Sequence, residues 1–162
     1  MDESKQPGIQ IAQVFLERAT FSHRDDALAL PPNTPFQPEV VVNLQGGVAS
    51  DGKTAFLRIT VHTKPEDKPL YNFTVSMFAL LQVVEGQENL PLKEYVEGGG
   101  PAMLYPFVRE AVASLTWRGR FGPVWLAPFN IGAAIGRGAA PELQKIRKAP
   151  RVSKRARSPA AR

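Results

Sequence analysis

The chain has 162 residues, 43% of them apolar, and a formal net charge of +5 at pH 7. This is enough for one domain that buries about two-thirds of its unfolded surface. The absence of cysteine excludes disulfides and Cys-ligated metal and fits a reducing compartment. The first ten residues, MDESKQPGIQ, are too acidic and polar for a signal peptide, and no apolar run reaches the roughly 18 residues of a membrane span. We therefore expect a cytoplasmic protein.

The first half of the chain has the pattern of β-strands. Apolar residues occupy every second position in four segments: 9–21, 40–44, 55–63 and 71–77. The clearest alternation places Leu57, Ile59 and Val61 on one face, and the odd positions of the first segment put Phe15 on its apolar face. Because short links join at least the last two pairs of segments, an antiparallel meander is the simplest arrangement.

The second half is predicted to be helical. Residues 84–101 are polar and Gly-rich, which indicates a flexible connection. A long amphipathic helix is predicted over 103–118, with Pro106 in its first turn. A second, weaker helix is predicted over 139–148.

The candidate catalytic motifs are weak. The stretch EGGGP over 97–101 supplies the glycines of a phosphate loop, but Pro101, Met103 and Leu104 stand where hydrogen-bond donors are needed. His23 and His62 have no partner at catalytic or ligand spacing, and no nucleophile motif is present. We therefore predict that the protein is not an enzyme and uses no cofactor or metal.

The last part of the chain is strongly basic. Residues 137–162 contain nine Lys or Arg and one acid, a net charge of +8, whereas residues 1–136 have a net charge of −3. This predicts a folded domain over 1–136 and a partly disordered basic helix or tail over 137–162. The tail has no aromatic residue to stack on a base, so a non-specific contact with an anionic partner and a mere solubility tail both remain open. The basic residues singled out are Lys145, Arg147, Lys148, Arg151, Lys154, Arg155 and Arg157.

The chain has more large apolar residues than one sheet and one helix need. They mark either oligomer interfaces or a binding groove for apolar chains, and the residues alone leave both open. This surplus comprises Phe36, Phe56, Phe78, Leu80, Leu81, Trp117, Trp125 and Phe129.

Three segments resemble the SecB family of bacterial protein-export chaperones. They are FQPEVVVNL (36–44), LYPFVRE leading to RGRF (104–121) and LAPFNI (126–131), within a match over roughly 9–135. The resemblance implies an α+β fold, in which a four-stranded antiparallel sheet with a long crossover after its first strand carries a long helix and a short C-terminal helix on one side. It also implies a homotetramer, a dimer of dimers, that holds unfolded precursors in apolar grooves without ATP or metal and passes them to the translocation motor SecA.

The resemblance also suggests binding residues. By position, the family's polypeptide groove maps onto Phe15, Phe36, Val40, Val42, Leu44 and Ile135. Because they lie in the adjacent apolar segment, Trp125, Leu126 and Phe129 are added on chemistry.

Two features depart from the family. The acidic residues that meet SecA fall at Arg18, Ser22 and Thr74, and the tail is basic where the family's is acidic or neutral. Contact with SecA is therefore expected only in an altered form. The alternatives to an export chaperone are a SecB-like chaperone that protects an antitoxin, and a nucleic-acid or membrane-surface adaptor that acts through the tail.

Overall fold

The computed structural model describes residues 8–64, 67–87 and 89–128 and the backbone of Glu142–Leu143. The elements in chain order are β1 (Ile9–His23), a 3-10 helix (Asp25–Ala29), β2 (Val40–Val48), β3 (Thr54–Thr63), β4 (Tyr71–Val83), α1 (Leu92–Glu97), α2 (Gly99–Thr116) and β5 (Glu142–Leu143). Within these ranges, no helix is long and apolar enough to cross a membrane.

The strands form one sheet in the order β1-β4-β3-β2-β5. β2, β3 and β4 form an antiparallel meander, and a long crossover brings β1 antiparallel to the far side of β4. The predicted simple meander, with β1 beside β2, is therefore wrong. The long β1 finds a longer partner in β4, which has thirteen residues, than in β2, which has nine. The α+β fold with a four-stranded antiparallel sheet and a crossover after the first strand is confirmed.

The prediction for β1 fails at one residue. The pairing of β1 with β4 shifts register after Ile11 and again after Leu16. Side chains alternate with period two along a strand, so each inserted residue reverses the face to which the following residues point. Phe15, between the shifts, lies opposite Phe78 on the face away from the helices, whereas Phe21 packs against the core. The apolar odd positions of β1 therefore do not share one face.

The core lies between the sheet and the two helices. Leu57, Ile59 and Val61 of β3 are fully buried there, as the alternation predicted, and they face Leu104 and Val108 of α2. Burial of each such side chain contributes about 1.5–3 kcal/mol relative to an exposed position. This layer fixes α2 on one face of the sheet, and no helix of the described residues lies on the other face.

The helix α2 begins earlier than predicted. It starts at Gly99, so Pro106 is its eighth residue and lies in the interior, not in the first turn. Pro106 has no N–H to donate to the carbonyl of Ala102, and both residues are exposed, so water can satisfy that carbonyl. Gly100 is part of the helix and not of a flexible connection. A Cβ there would approach Leu57 Cδ1 to 2.4 Å.

The short helix α1 falls in the segment predicted to be a connection. Its six residues bury Leu92 and Val96 against the sheet. Gly46 of β2 permits this close approach, because a Cβ at Gly46 would lie 2.5 Å from Val96 Cγ1. Tertiary burial therefore stabilises a helix that is too short to form alone.

The predicted C-terminal helix is contradicted at two residues. Glu142–Leu143 form β5, which pairs in parallel with Gln45 and Gly46 of β2. The remainder of 139–148 lies outside the described residues, as does the rest of the predicted basic tail.

Candidate functional site

The segment after α2 runs back along that helix. Val124 N donates a hydrogen bond to Thr116 Oγ1 at 2.8 Å, and Thr116 Oγ1 donates to Val112 O at 2.7 Å. Further along, Arg109 Nε donates to Leu126 O at 3.1 Å. As the chain advances from 124 to 126, its partner on α2 recedes from 116 to 109, so the segment lies antiparallel to the helix.

The last of these bonds comes from a tyrosine. Tyr105 Oη donates to Ala127 O at 2.8 Å. Burial raises the pKa of Tyr105, with the charge of Arg109 acting in the opposite direction, so the hydroxyl keeps the proton that it donates. Side chains at three levels of α2 therefore position residues 124–127.

This arrangement forms an apolar groove with two exposed tryptophans. Trp117 is 69% exposed and Trp125 is 68% exposed. The groove has a volume of about 480 Å³ and is lined by Arg109, Glu110, Ala113, Ser114, Trp117, Pro123 and Trp125. We call it the tryptophan groove.

A second depression lies beside the crossover between β1 and β2. Phe36 packs edge-on against Tyr71, with ring centroids 4.8 Å apart. The depression has a volume of about 360 Å³ and is lined by Pro35, Phe36, Gln37, Pro38, Glu39, Asp67, Lys68, Pro69 and Leu70. The crossover itself is tied down where Arg120 Nη2 donates to Leu30 O at 3.2 Å.

The two histidines have structural contacts. His23 Nε2 accepts a hydrogen bond from Arg120 N at 3.1 Å, and its ring lies edge-on to Tyr71. His62 lies within hydrogen-bond distance of Asn43 and of its neighbour's carbonyl. In the part of the chain that the structure describes, no group of three or more His, Cys, Asp or Glu could hold a metal ion.

The predicted binding residues are not all in one place. Phe36, Val40 and Val42 are half-buried and pack against the core on the helix side of the sheet. Leu44 and Leu126 are core residues, 8% and 5% exposed, so their side chains are not available to a partner.

Phe15 and Trp125 are accessible, but they lie apart. Phe15 is 37% exposed on the opposite face of the sheet, whereas Trp125 lines the tryptophan groove. Phe129, Ile135 and the seven basic tail residues lie outside the described residues.

The sequence analysis counted Trp117 among the surplus apolar residues but did not name it as a binding residue, and it did not single out Phe107, which does not line the groove. Both are exposed on α2, by 69% and 45%. A signal was present for Trp117, since Arg109, Ala113 and Trp117 are four residues apart and share one helix face that a polar stripe should occupy.

Positions 18, 22 and 74, predicted to replace the family's acidic contacts, lie on one surface. Arg18 is opposite Ser76, Ser22 is opposite Asn72, and Thr74 is opposite Thr20, all on the sheet face away from the helices. This surface carries no carboxylate at any of the three positions.

Comparisons with known proteins identify the class. A chain with a TM-score of 0.57 and 19% identity, covering 75% of this chain and 88% of its own, is the SecB-like chaperone of Mycobacterium tuberculosis in complex with a ChAD peptide from the HigA1 antitoxin. This likeness shows the fold.

Sequence relatives give the family. The family described as preprotein translocase subunit SecB matches residues 2–135. The protein-export protein SecB of Actinobacillus succinogenes is 29% identical over 142 residues, 82% of this chain and 81% of the relative. That of Nitrobacter hamburgensis is 32% identical over 127 residues, 76% and 79% of the two chains. The chain belongs to the SecB family. The family and these relatives are named for protein export, so the predicted resemblance and the predicted role as a protein-export chaperone are confirmed.

Proposed function

We propose that this protein is an ATP-independent holdase that binds non-native preproteins in apolar grooves before export. The observation that supports this most is the tryptophan groove, in which two tryptophans are each about two-thirds exposed. Covering a large aromatic side chain contributes more binding free energy than covering a smaller one, because each can bury about 150–250 Å². Exposed aromatic side chains that line one groove are typical of an interaction site.

The chemistry of the groove suits clients of many sequences. Burial of apolar surface is non-directional and needs neither a fixed motif nor nucleotide hydrolysis. The backbone hydrogen bonds to Tyr105, Arg109 and Thr116 hold the groove's second wall in place without a client. A preformed wall lowers the entropic cost of binding.

The depression beside the crossover supplies a second contact on the same protomer. Phe36 presents an aromatic ring at its edge, and the half-buried Val40 and Val42 follow on β2. A long unfolded chain that occupies one groove would meet the next as an intramolecular event, so its overall affinity exceeds that of either contact.

We further propose that the protein assembles as a homotetramer, a dimer of dimers. β1 supports this, because its fifteen residues form an edge of the sheet and leave one row of backbone groups for a second copy. Sedimentation should give four times the chain mass of 17.8 kDa. A monomer at micromolar concentration would refute the assembly and leave the groove to be tested separately.

Export is favoured over the alternatives. The relatives that match most of the chain are named protein-export proteins, and the likeness to an antitoxin-bound chaperone is one of fold. Acting on preproteins before translocation places the protein in the cytoplasm, where transfer to SecA would use contacts other than carboxylates at Arg18, Ser22 and Thr74.

The holdase proposal is tested by diluting a denatured preprotein into buffer without ATP and following light scattering. The unchanged protein should suppress aggregation. Trp117→Ala with Trp125→Ala should weaken client binding several hundredfold, about 30-fold for each tryptophan, since each aromatic anchor contributes about 2 kcal/mol. Phe107→Ala is the matched control, because Phe107 is exposed on α2 but does not line the groove. If the unchanged protein leaves aggregation and refolding as they are, the proposal fails.

A tail deletion separates the adaptor alternative. Removal of residues 137–162 should abolish salt-sensitive binding to DNA or anionic vesicles, because it removes the +8 segment. Aggregation suppression should persist. Loss of both activities together would favour an adaptor that works through the tail.

A further inference from the structure

The sheet face away from the helices, here called the open face, carries an aromatic ridge. Phe15 of β1 lies opposite Phe78 of β4, with ring centroids 5.2 Å apart, and Phe78 stacks on Phe56 of β3 at 5.4 Å with an interplanar angle of 1°. Leu80, opposite Phe56, extends the ridge and is 39% exposed. The ridge crosses three strands, and nothing in the described ranges covers it.

The charges beside the ridge do not cancel. Arg58 lies 5.4 Å from the centre of the Phe78 ring and forms a two-point ion pair with Glu17, at 2.7 Å and 2.5 Å. The register shift in β1 places the next residue, Arg18, on the same face, opposite Ser76. Arg18 is exposed and has no ion-pair partner among the described residues, whereas Glu17 is already paired with Arg58.

Beyond Arg18 the open face becomes polar. A depression of about 490 Å³ there is lined in part by Thr20, Ser22, His62 and Thr74. Its hydroxyl groups can donate hydrogen bonds to a carboxylate. The open face therefore has three parts in sequence: an apolar ridge, an unpaired cation and a group of hydroxyl donors.

Charge decides which occupant fits. The chain's own basic segment would bring eight net positive charges to a face that already has an unpaired arginine. A second copy docked face to face would also bring two unpaired arginines into one interface, and like charges in an interface are unfavourable. A partner with apolar side chains flanked by carboxylates complements both the ridge and Arg18.

We propose that the open face docks an acidic segment of a second protein, with apolar side chains on the ridge of Phe15, Phe56, Phe78 and Leu80 and a carboxylate on Arg18. This site lies on the opposite side of the sheet from the tryptophan groove. It is therefore a second binding surface, independent of the proposed client site.

The test uses two fluorescein-labelled peptides as probes, with Phe and Leu at the same alternating positions and either Glu or Lys between them. Fluorescence anisotropy of the full chain should give about fivefold tighter binding of the Glu peptide, and 0.5 M salt should reduce the difference. Arg18→Glu should reverse the preference, and Arg18→Gln should abolish it. Equal affinities of the unchanged protein for the two peptides would overturn the proposal.

Matched variants locate the binding surface. Phe15→Ser should weaken the affinity for the Glu peptide about tenfold or more. Leu16→Ser should change the affinity for the Glu peptide by no more than about twofold. Leu16 is the neighbour of Phe15 and is 51% exposed, but it lies opposite Met77 on the helix side of the sheet. Trp117→Ala with Trp125→Ala should also leave that affinity unchanged. The open-face site would be refuted if the tryptophan variant lost peptide binding, or if Phe15→Ser and Leu16→Ser lost it equally, because the peptides would then bind elsewhere. The result of the holdase assay would not be affected.

Discussion

Replacement of Thr116 by Val should detach one wall of the tryptophan groove. Thr116 is fully buried, and its Oγ1 accepts the hydrogen bond of Val124 N, directly before Trp125. Val has nearly the same shape but no acceptor, so a buried N–H loses its partner. An unsatisfied buried donor costs about 1–3 kcal/mol, which corresponds to a decrease in melting temperature of roughly 3–10 °C for a domain of this size.

The assay is amide hydrogen exchange combined with urea unfolding at a fixed protomer concentration. In Thr116→Val, the amide of Val124 should exchange faster, whereas the amide of Trp117, bonded to Ala113 O at 2.9 Å, should remain protected. The dependence of the unfolding free energy on urea should keep its slope, because the surface exposed on unfolding is unchanged.

Thr116→Ser is the control. It keeps the acceptor and removes one methyl group, which costs about 1 kcal/mol of core packing but preserves the bond to Val124. Val124 should then stay protected even though stability falls. Equal protection of Val124 in the Val and Ser variants would refute the assignment of this hydroxyl as the tie between α2 and the groove.

Two further perturbations test the fold around the site. Gly46→Ala should destabilise the protein by about 1–3 kcal/mol, because the added methyl group collides with Val96. Val96→Ala should partly relieve this loss, so the urea midpoint of the double variant should be higher than the sum of the two single effects predicts. Asp51 accepts backbone hydrogen bonds from Lys53 and Thr54, which lower the pKa of its carboxyl group below the ordinary value of 3.8. The ionised carboxylate therefore stabilises the fold above pH 3.8, and this stabilisation is lost as the pH falls through the lowered pKa of the folded state. Asp51→Asn keeps an acceptor and should flatten this part of the dependence of melting temperature on pH, and an unchanged profile would contradict the assignment.

Alternation alone predicted the core strands because their register has no interruptions. In β3, Leu57, Ile59 and Val61 all fall on the buried face. β1 differs because its two register shifts arise from pairing with β4, and no residue type around Phe15 marks an inserted position. The face on which Phe15 lies is therefore a property of the partner strand and could not be deduced from β1 itself.

The helical part was harder to predict for a related reason. α1 has six residues between Pro91 and Gly98, and it forms because Leu92 and Val96 find an apolar surface on the sheet. The position of Trp125 likewise depends on a bond from Val124 to a residue eight positions earlier. The α2 side of the groove could be deduced from spacing, whereas its second wall, with Pro123 and Trp125, required the tertiary structure.

The single-layer sheet makes the two proposed surfaces separable. Neighbouring residues of β4 point to opposite faces, so Met77 packs in the core while Phe78 joins the aromatic ridge. A substitution on the ridge reaches the tryptophan groove only through the buried layer between them, and well-separated sites are additive within about 0.3–0.5 kcal/mol. In a chain that carries both Phe15→Ser and Trp117→Ala, the loss of binding free energy should therefore equal the sum of the losses in the two single variants, for the peptide and for the client alike. A larger departure from additivity would mean that one partner occupies both faces, and the independence of the two surfaces would have to be abandoned.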